Sequence, residues 1–171
     1  MVRKIIKYGD PLLEQKAEPV TEFDTPELRE TLADMFETMY AAKGVGLAAP
    51  QIGLSQQISV IDVSVGENEA DKIVIINPEI TCREGKQTGE EGCLSIPGFR
   101  EPVSRANRVT VRAQNEKGEP IEFSGEELLA RAFQHEIDHL NGILFINHLS
   151  GLKRDIIRRK IKKLQKAGEW D

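Results

Sequence analysis

Cysteine is scarce in this chain of 171 residues, with two in all, and histidine is limited to three. Two cysteines cannot build a disulfide framework, so the fold must rest on a packed core. One of the thiols is better employed as a metal ligand, which points to a reducing compartment such as the cytoplasm. Long apolar runs are lacking too. The opening segment, Met1-Val2-Arg3-Lys4-Ile5-Ile6-Lys7-Tyr8, has no apolar region long enough for a signal peptide or a membrane span. Repeats and low-complexity linkers are absent, and the length suits a single domain over residues 1–171. A chain of about 150 residues buries close to 70% of its unfolded surface, enough for a core without staples.

Two further absences narrow the chemistry. The small-residue segment Gly44-Val45-Gly46-Leu47-Ala48-Ala49-Pro50-Gln51-Ile52-Gly53 has no Gly-Lys-Ser/Thr ending and no preceding strand, so it is not a phosphate loop. Its plainest reading is a flexible turn after a helix. Small residues also let a substrate backbone lie close, and Gln51 could then act as a neutral donor to a developing oxyanion. The second absence follows the pattern His135-Glu136-Ile137-Asp138-His139. In an HExxHxxGxxH protease a third histidine comes after Gly142, but Phe145 stands there, and the carboxylates beyond His139 are only Asp155, Glu169 and Asp171.

The HExxH pattern itself is informative. On a helix, positions i and i+4 share a face, so His135 and His139 can grip one metal ion with Glu136 beside it. A divalent metal acidifies a bound water, and a nearby carboxylate can shuttle its proton. Ser124 followed by Glu127 predicts a capping-box start, and Leu128, Leu129, Ala132, Phe133, Ile137 and Leu140 recur at helical spacing up to a stop at Gly142. Candidates for a third ligand are His148, Cys82 and Cys93. Cys93 lies in Glu91-Gly92-Cys93-Leu94-Ser95-Ile96-Pro97-Gly98, where Gly92 permits unusual backbone angles and Pro97-Gly98 is expected to break any regular continuation. His148 reads as a surface or capping residue, and Cys82 as a small, partly buried hydrophobe.

Three segments together resemble the peptide deformylase family, enzymes that remove the N-formyl group from nascent bacterial polypeptides. That family carries GxGxAAxQ, EGCxS and QHExDH in order, and Gly44–Gln51, Glu91–Ser95 and Gln134–His139 match every fixed position. The resemblance implies one divalent metal held by Cys93, His135 and His139. A metal-bound hydroxide would attack the formyl carbonyl of a formylmethionyl peptide, with Glu136 as general base and then acid. The Gln51 side chain and the Leu94 backbone N–H would meet the oxyanion, and Gly46 would offer backbone hydrogen bonds to the substrate. Fe2+ is the implied cellular metal, with Zn2+, Ni2+ or Co2+ able to substitute. Two rival readings are a small HExxH metalloprotease and a catalytically silent metal-binding protein; intact Glu136 and Gln51 argue against the second.

Other residues have lesser parts. Val45, Phe133 and Leu129 are candidates for a methionine-sized apolar pocket, with core packing as the default. Glu91 could orient a ligand, Gln134 could be a packing contact, and Asp138 could anchor the metal helix to Arg105. Thr25-Pro26 predicts a helix from Pro26 to Lys43 with Leu28, Leu32, Met35, Phe36 and Met39 inward. Strands are predicted at Ile58–Asp62, Ile73–Ile76, Arg108–Arg112 and Ile121–Phe123, the last two joined by a hairpin turn at Glu116-Lys117-Gly118. Val65–Asp71 reads as an exposed loop. The fold class is α+β: antiparallel sheets packed around a central HExxH helix, with a C-terminal helix. Against a net charge of −5, Lys153 to Lys166 carries eight basic residues and one acid, Asp155. Leu152, Ile156, Ile161 and Leu164 predict its apolar stripe. Such a helix is either a solvated face or an electrostatic dock for nucleic acid or an acidic partner, the ribosome being the natural one for an enzyme of nascent chains.

Overall fold

A computed structural model describes residues 1–170. Pro26–Ala41 forms α1. The Thr25 hydroxyl accepts from the Leu28 N–H at 3.1 Å, and Pro26 occupies a first-turn position whose N–H needs no helical partner. The helix ends short of Lys43, which turns back onto Tyr40 with φ +57. The segment expected as a flexible turn is instead regular and mostly buried. It forms strand β1 (Gly46–Ala48), then a single 3-10 turn over Ala49–Ile52.

Five antiparallel strands make the main sheet: β1, β2 (Ile58–Ile61), β3 (Ile73–Glu84), β6 (Arg108–Gln114) and β7 (Pro120–Glu126), in the order β1-β2-β3-β6-β7. All four residues of β2 are buried because both its faces are covered. Ile58 and Val60 pack with Leu32, Met35 and Met39 of α1, whereas Ile61 packs with Phe133 and Ile137 on the other side. β3 is far longer than the apolar run that signalled it. Its register slips between Ile76 and Glu79, where Asn77 takes φ +50 and its side chain bonds Val20 and Gln114. Beyond that slip the strand is solvent-facing, so Cys82 is exposed rather than partly buried.

A separate hairpin, β4 (Gln87–Cys93) and β5 (Ile96–Arg105), forms a second, two-stranded sheet. Pro97 and Gly98 do not break the chain as expected; both lie in β5, a two-stranded hairpin edge where a missing N–H costs no interior ladder bond. The metal-pattern helix α2 (Glu127–Leu140) is buried along most of its length, and Asn141 and Gly142 close it, with Gly142 at φ +75. Its start corrects the capping-box expectation. Ser124 belongs to β7, 3.3 Å from the Thr110 hydroxyl across the ladder, and Glu126 is the N-cap with no side-chain cap bond. Cross-strand pairing of residues 120–126 with 108–114 prevails, and strand passes to helix through Glu127 at φ +54. After a 3-10 turn at Phe145–His148, α3 (Gly151–Lys166) closes the fold. It buries Ile157 and Ile161, with Leu164 half-buried, against Leu13, Phe145 and Trp170. The expected stripe was therefore partly misplaced: Leu152 and Ile156 are exposed.

Candidate metal centre and active-site cleft

α2 sets His135 and His139 one turn apart, and their Nε2 atoms lie 3.2 Å from each other. Cys93 ends β4 at a two-residue tip, pairing across it with Ile96, and its Sγ stands 3.2 Å from His139 Nε2. The tip can close because residue 92 is glycine: a β-carbon there would meet Arg100 Nη1 at 3.1 Å and the Phe99 carbonyl at 3.3 Å. The three ligating atoms fall within 4.8 Å of one another, as a single ion requires. Cys82 and His148, the other candidates, are not in this cluster. His148 instead meets Asp138 at 2.8 Å.

Glu91, buried in the opposite wall, orients the first imidazole. His135 Nδ1 lies 2.5 Å from Glu91 Oε1, a contact that fixes the ring with Nε2 turned toward His139 and Cys93. The remaining valences of Glu91 go to Arg105, at 2.6 and 3.2 Å, and to Arg131 Nη1 at 2.8 Å. Burial alone would raise the Glu91 carboxyl. The hydrogen bond from His135 and the Arg105 guanidinium outweigh burial and hold it well below the usual carboxylate range. Arg105 also binds Asp138 at 2.6 Å, the anchoring expected for it. Burial, reinforced by the charges of His135 and Arg105, pushes His139 well below the ordinary imidazole value, which favours the neutral ligand form.

Glu136 reaches into the same space. It is buried, its Oε1 has no hydrogen-bond partner, and its Oε2 lies 3.9 Å from His135 Nε2. Burial pushes its carboxyl up to about 7, opposed by His135, so it can take or give a proton near neutrality. Glycine at position 46 leaves this carboxylate its place: a β-carbon there would stand 2.5 Å from Glu136 Oε2 and displace it. Gln51 is fully buried. Its Oε1 accepts from the Ala48 N–H at 2.9 Å, which turns the amide donors toward Ser95 Oγ at 3.1 Å and Cys93 Sγ at 3.6 Å. A cavity of about 520 Å3 opens beside these groups, bounded by Val45, Gly46, Leu94, Leu128 and Ala132 among others. Of the three pocket candidates, Val45 lines it; Phe133 and Leu129 belong to the packed core under β6 and β7.

A sequence model of the polypeptide deformylase family matches residues 2–155. The chain belongs to this family. A peptide deformylase of Acidobacterium capsulatum is 64% identical over 170 residues, covering 99% of both chains. Among solved structures, a peptide deformylase from Legionella pneumophila is 49% identical with a TM-score of 0.91, covering 100% of this chain and 99% of that one. The peptide deformylase of Thermus thermophilus gives 0.85 at 47% identity, covering 95% and 94%. Peptide deformylases are metal-dependent hydrolases that remove the N-formyl group from nascent polypeptides, and the donor set here fits that dependence. Two imidazoles and a thiol converge, and the buried Glu136 Oε1 is left without a partner.

Two contributors to the site escaped the sequence reading. Arg131, four residues before His135, belongs to none of the three motifs; it is buried, holding Glu91 and the Val103 carbonyl. Ser95 was visible only as a fixed letter of EGCxS. Its hydroxyl receives the Gln51 amide, and its backbone N–H points at Cys93 Sγ from 3.4 Å.

Proposed function

We propose that Cys93, His135 and His139 hold one divalent metal, that Glu136 moves the proton, and that Gln51 and the Leu94 N–H meet the charge developing on the formyl oxygen. The observation carrying this reading is Glu136: a buried carboxylate with a free oxygen, its pKa raised to about 7, beside a Cys-His-His cluster. A metal bound there acidifies a water and polarises the carbonyl. Glu136 accepts the proton of the attacking water and returns it to the departing amine. Gln51, fixed through Ala48, holds its amide beside Cys93 before charge builds, and exchanges its long contact with Cys93 Sγ for the oxyanion. Gly46 and Val45 supply the edge of β1 on which the extended peptide lies, the methionine side chain entering the cavity beside Val45, Leu128 and Ala132. Fe2+ is the proposed cellular metal, a choice compatible with a His2Cys set that also suits zinc, nickel or cobalt. The whole chain works as one catalytic domain, since the site draws on the hairpin, the sheet edge and α2 together.

The test is formate release from a formyl-Met peptide by oxygen-free, metal-assayed protein. Glu136→Gln should retain its metal and lose about 10²- to 10⁴-fold in kcat. Cleavage of internal peptide bonds would instead favour a protease.

No helix among the described residues is long and apolar enough to cross a membrane. We further propose a cytoplasmic enzyme that docks on the ribosome through α3, whose outward face carries Arg159, Lys160 and Lys163. Because Ile157 and Ile161 of this helix are core residues, deleting it would unfold the test. Reversing those three charges to Glu should abolish salt-sensitive co-sedimentation with ribosomes and leave formate release intact; unchanged co-sedimentation would refute the docking.

A further inference from the structure

The mouth of the cleft is positively charged in a protein that is negative as a whole. Lys43 and Arg100 stand on its rim, both exposed. Lys43 comes from the end of α1 on the β1 side. Arg100 comes from β5 on the opposite wall and arches over Gly92, the residue before Cys93. Arg100 has a loose partner, Glu90, at 3.7 Å with both groups largely exposed. Lys43 forms no ion pair among the described residues. Lys43 also holds φ +57, a left-handed conformation that a lysine adopts at a cost and glycine would adopt freely.

Their place beside Gly46 and Glu136 says what these cations face. Glu136 lies against Gly46, so the formyl end of a bound peptide belongs there. Lys43 lies three residues before Gly46, in the turn that ends α1, and lines the same cavity as Val45 and Gly46. Side chains of an extended peptide alternate between faces, so the third residue turns to the same side as the methionine in the cavity and meets the cations on its rim. We propose that Lys43, with Arg100 across the cleft, selects formylated peptides carrying an acidic side chain at the third residue. This rests on the deformylase reading of the same cleft and names a preference within its substrate class.

Exposed ion pairs are weak and screened by salt, so the effect is modest: about three- to tenfold between an acidic and a basic side chain at that position. The experiment compares kcat/KM for formyl-Met-Ala-Asp and formyl-Met-Ala-Lys, amidated at the C-terminus, in the metal-loaded protein. The acidic-to-basic ratio is expected to exceed three at low salt and to shrink toward one at about 0.5 M salt. It should fall toward one in Lys43→Gly, which suits the left-handed backbone, and invert in Lys43→Glu. Because the ratio is taken within each variant, a general change in turnover does not enter it. Calorimetric binding of the unformylated Met-Ala-Asp and Met-Ala-Lys amides reads the same preference without turnover. Equal ratios in the unaltered protein, or a preference that survives Lys43→Glu, would overturn the selection and leave the deformylase reading standing. No formate from either peptide, with the binding preference intact, would overturn the reaction and leave the charge selection standing.

Discussion

One added carbon is enough to disturb the chemistry around Glu136. A β-carbon at position 46 would stand 2.5 Å from its Oε2, 2.8 Å from its Cδ and 3.0 Å from its Cγ. Gly46→Ala should therefore push Glu136 aside while leaving Cys93, His135 and His139 in place. The expected result is unchanged metal content with kcat lowered about 10²-fold or more, checked by metal analysis beside formate release. At this scale the sequence was most legible where chemistry is local. HExxH sets two histidines and a carboxylate within five positions, and the fixed letters around Cys93 and Gln51 could be matched one by one. Glu91 shows the limit. Its partners Arg105, Arg131 and His135 lie 14, 40 and 44 residues away, and no local pattern joins residues that only the folded hairpin brings together.

At the scale of elements, the helices and buried strands were readable and the hairpin of β4 and β5 was not. α1 announced itself by a cap, a proline and an apolar stripe. By contrast, Gln87-Thr88-Gly89-Glu90-Glu91-Gly92-Cys93 has almost no apolar alternation, because β4 has one strand partner and turns its chemistry toward the cleft. Its signals were glycines and carboxylates, which read as loop. α3 was recognised as a helix, and Ile161 and Leu164 of its predicted stripe do pack inward, but Leu152 and Ile156 are exposed and Ile157 is buried in their stead. Leu152 and Ile156 are as apolar by type as Ile157, and only the tertiary partners Leu13, Phe145 and Trp170 decide between them. Truncation separates the two faces. Ile161→Ala should cost about 2–4 kcal/mol in urea unfolding, whereas Leu152→Ala should stay within about 0.5 kcal/mol. Equal losses would mean that α3 packs through the other face.

For the molecule as a whole, the acid limit of stability is set partly far from the metal. Asp62, at the end of β2, is fully buried and gathers the turn after it: Ser64 donates through both N–H and hydroxyl, Gly66 through its N–H, and Tyr40 of α1 through its hydroxyl. This network gives the exposed stretch after Ser64 a fixed root in the core, and it joins α1 to the sheet. Burial alone would raise the Asp62 carboxyl, but the hydrogen bonds from Ser64 and Tyr40 outweigh it and hold the value below the ordinary 3.8. A carboxyl whose folded pKa is depressed contributes stability that is complete above its unfolded value, here above a pH of about 4. That contribution is lost as the pH falls through the lower folded value. Asp62→Asn removes the charge while keeping the shape. The variant should unfold at lower urea than the unaltered protein at pH 7 and at pH 5, and the two curves should converge toward pH 3. Glu91 and Asp138 titrate in both proteins, so their shared effect cancels from the difference. A gap that stays constant down to pH 3 would show that Asp62 holds the turn by shape and neutral hydrogen bonds, with no share in the acid limit.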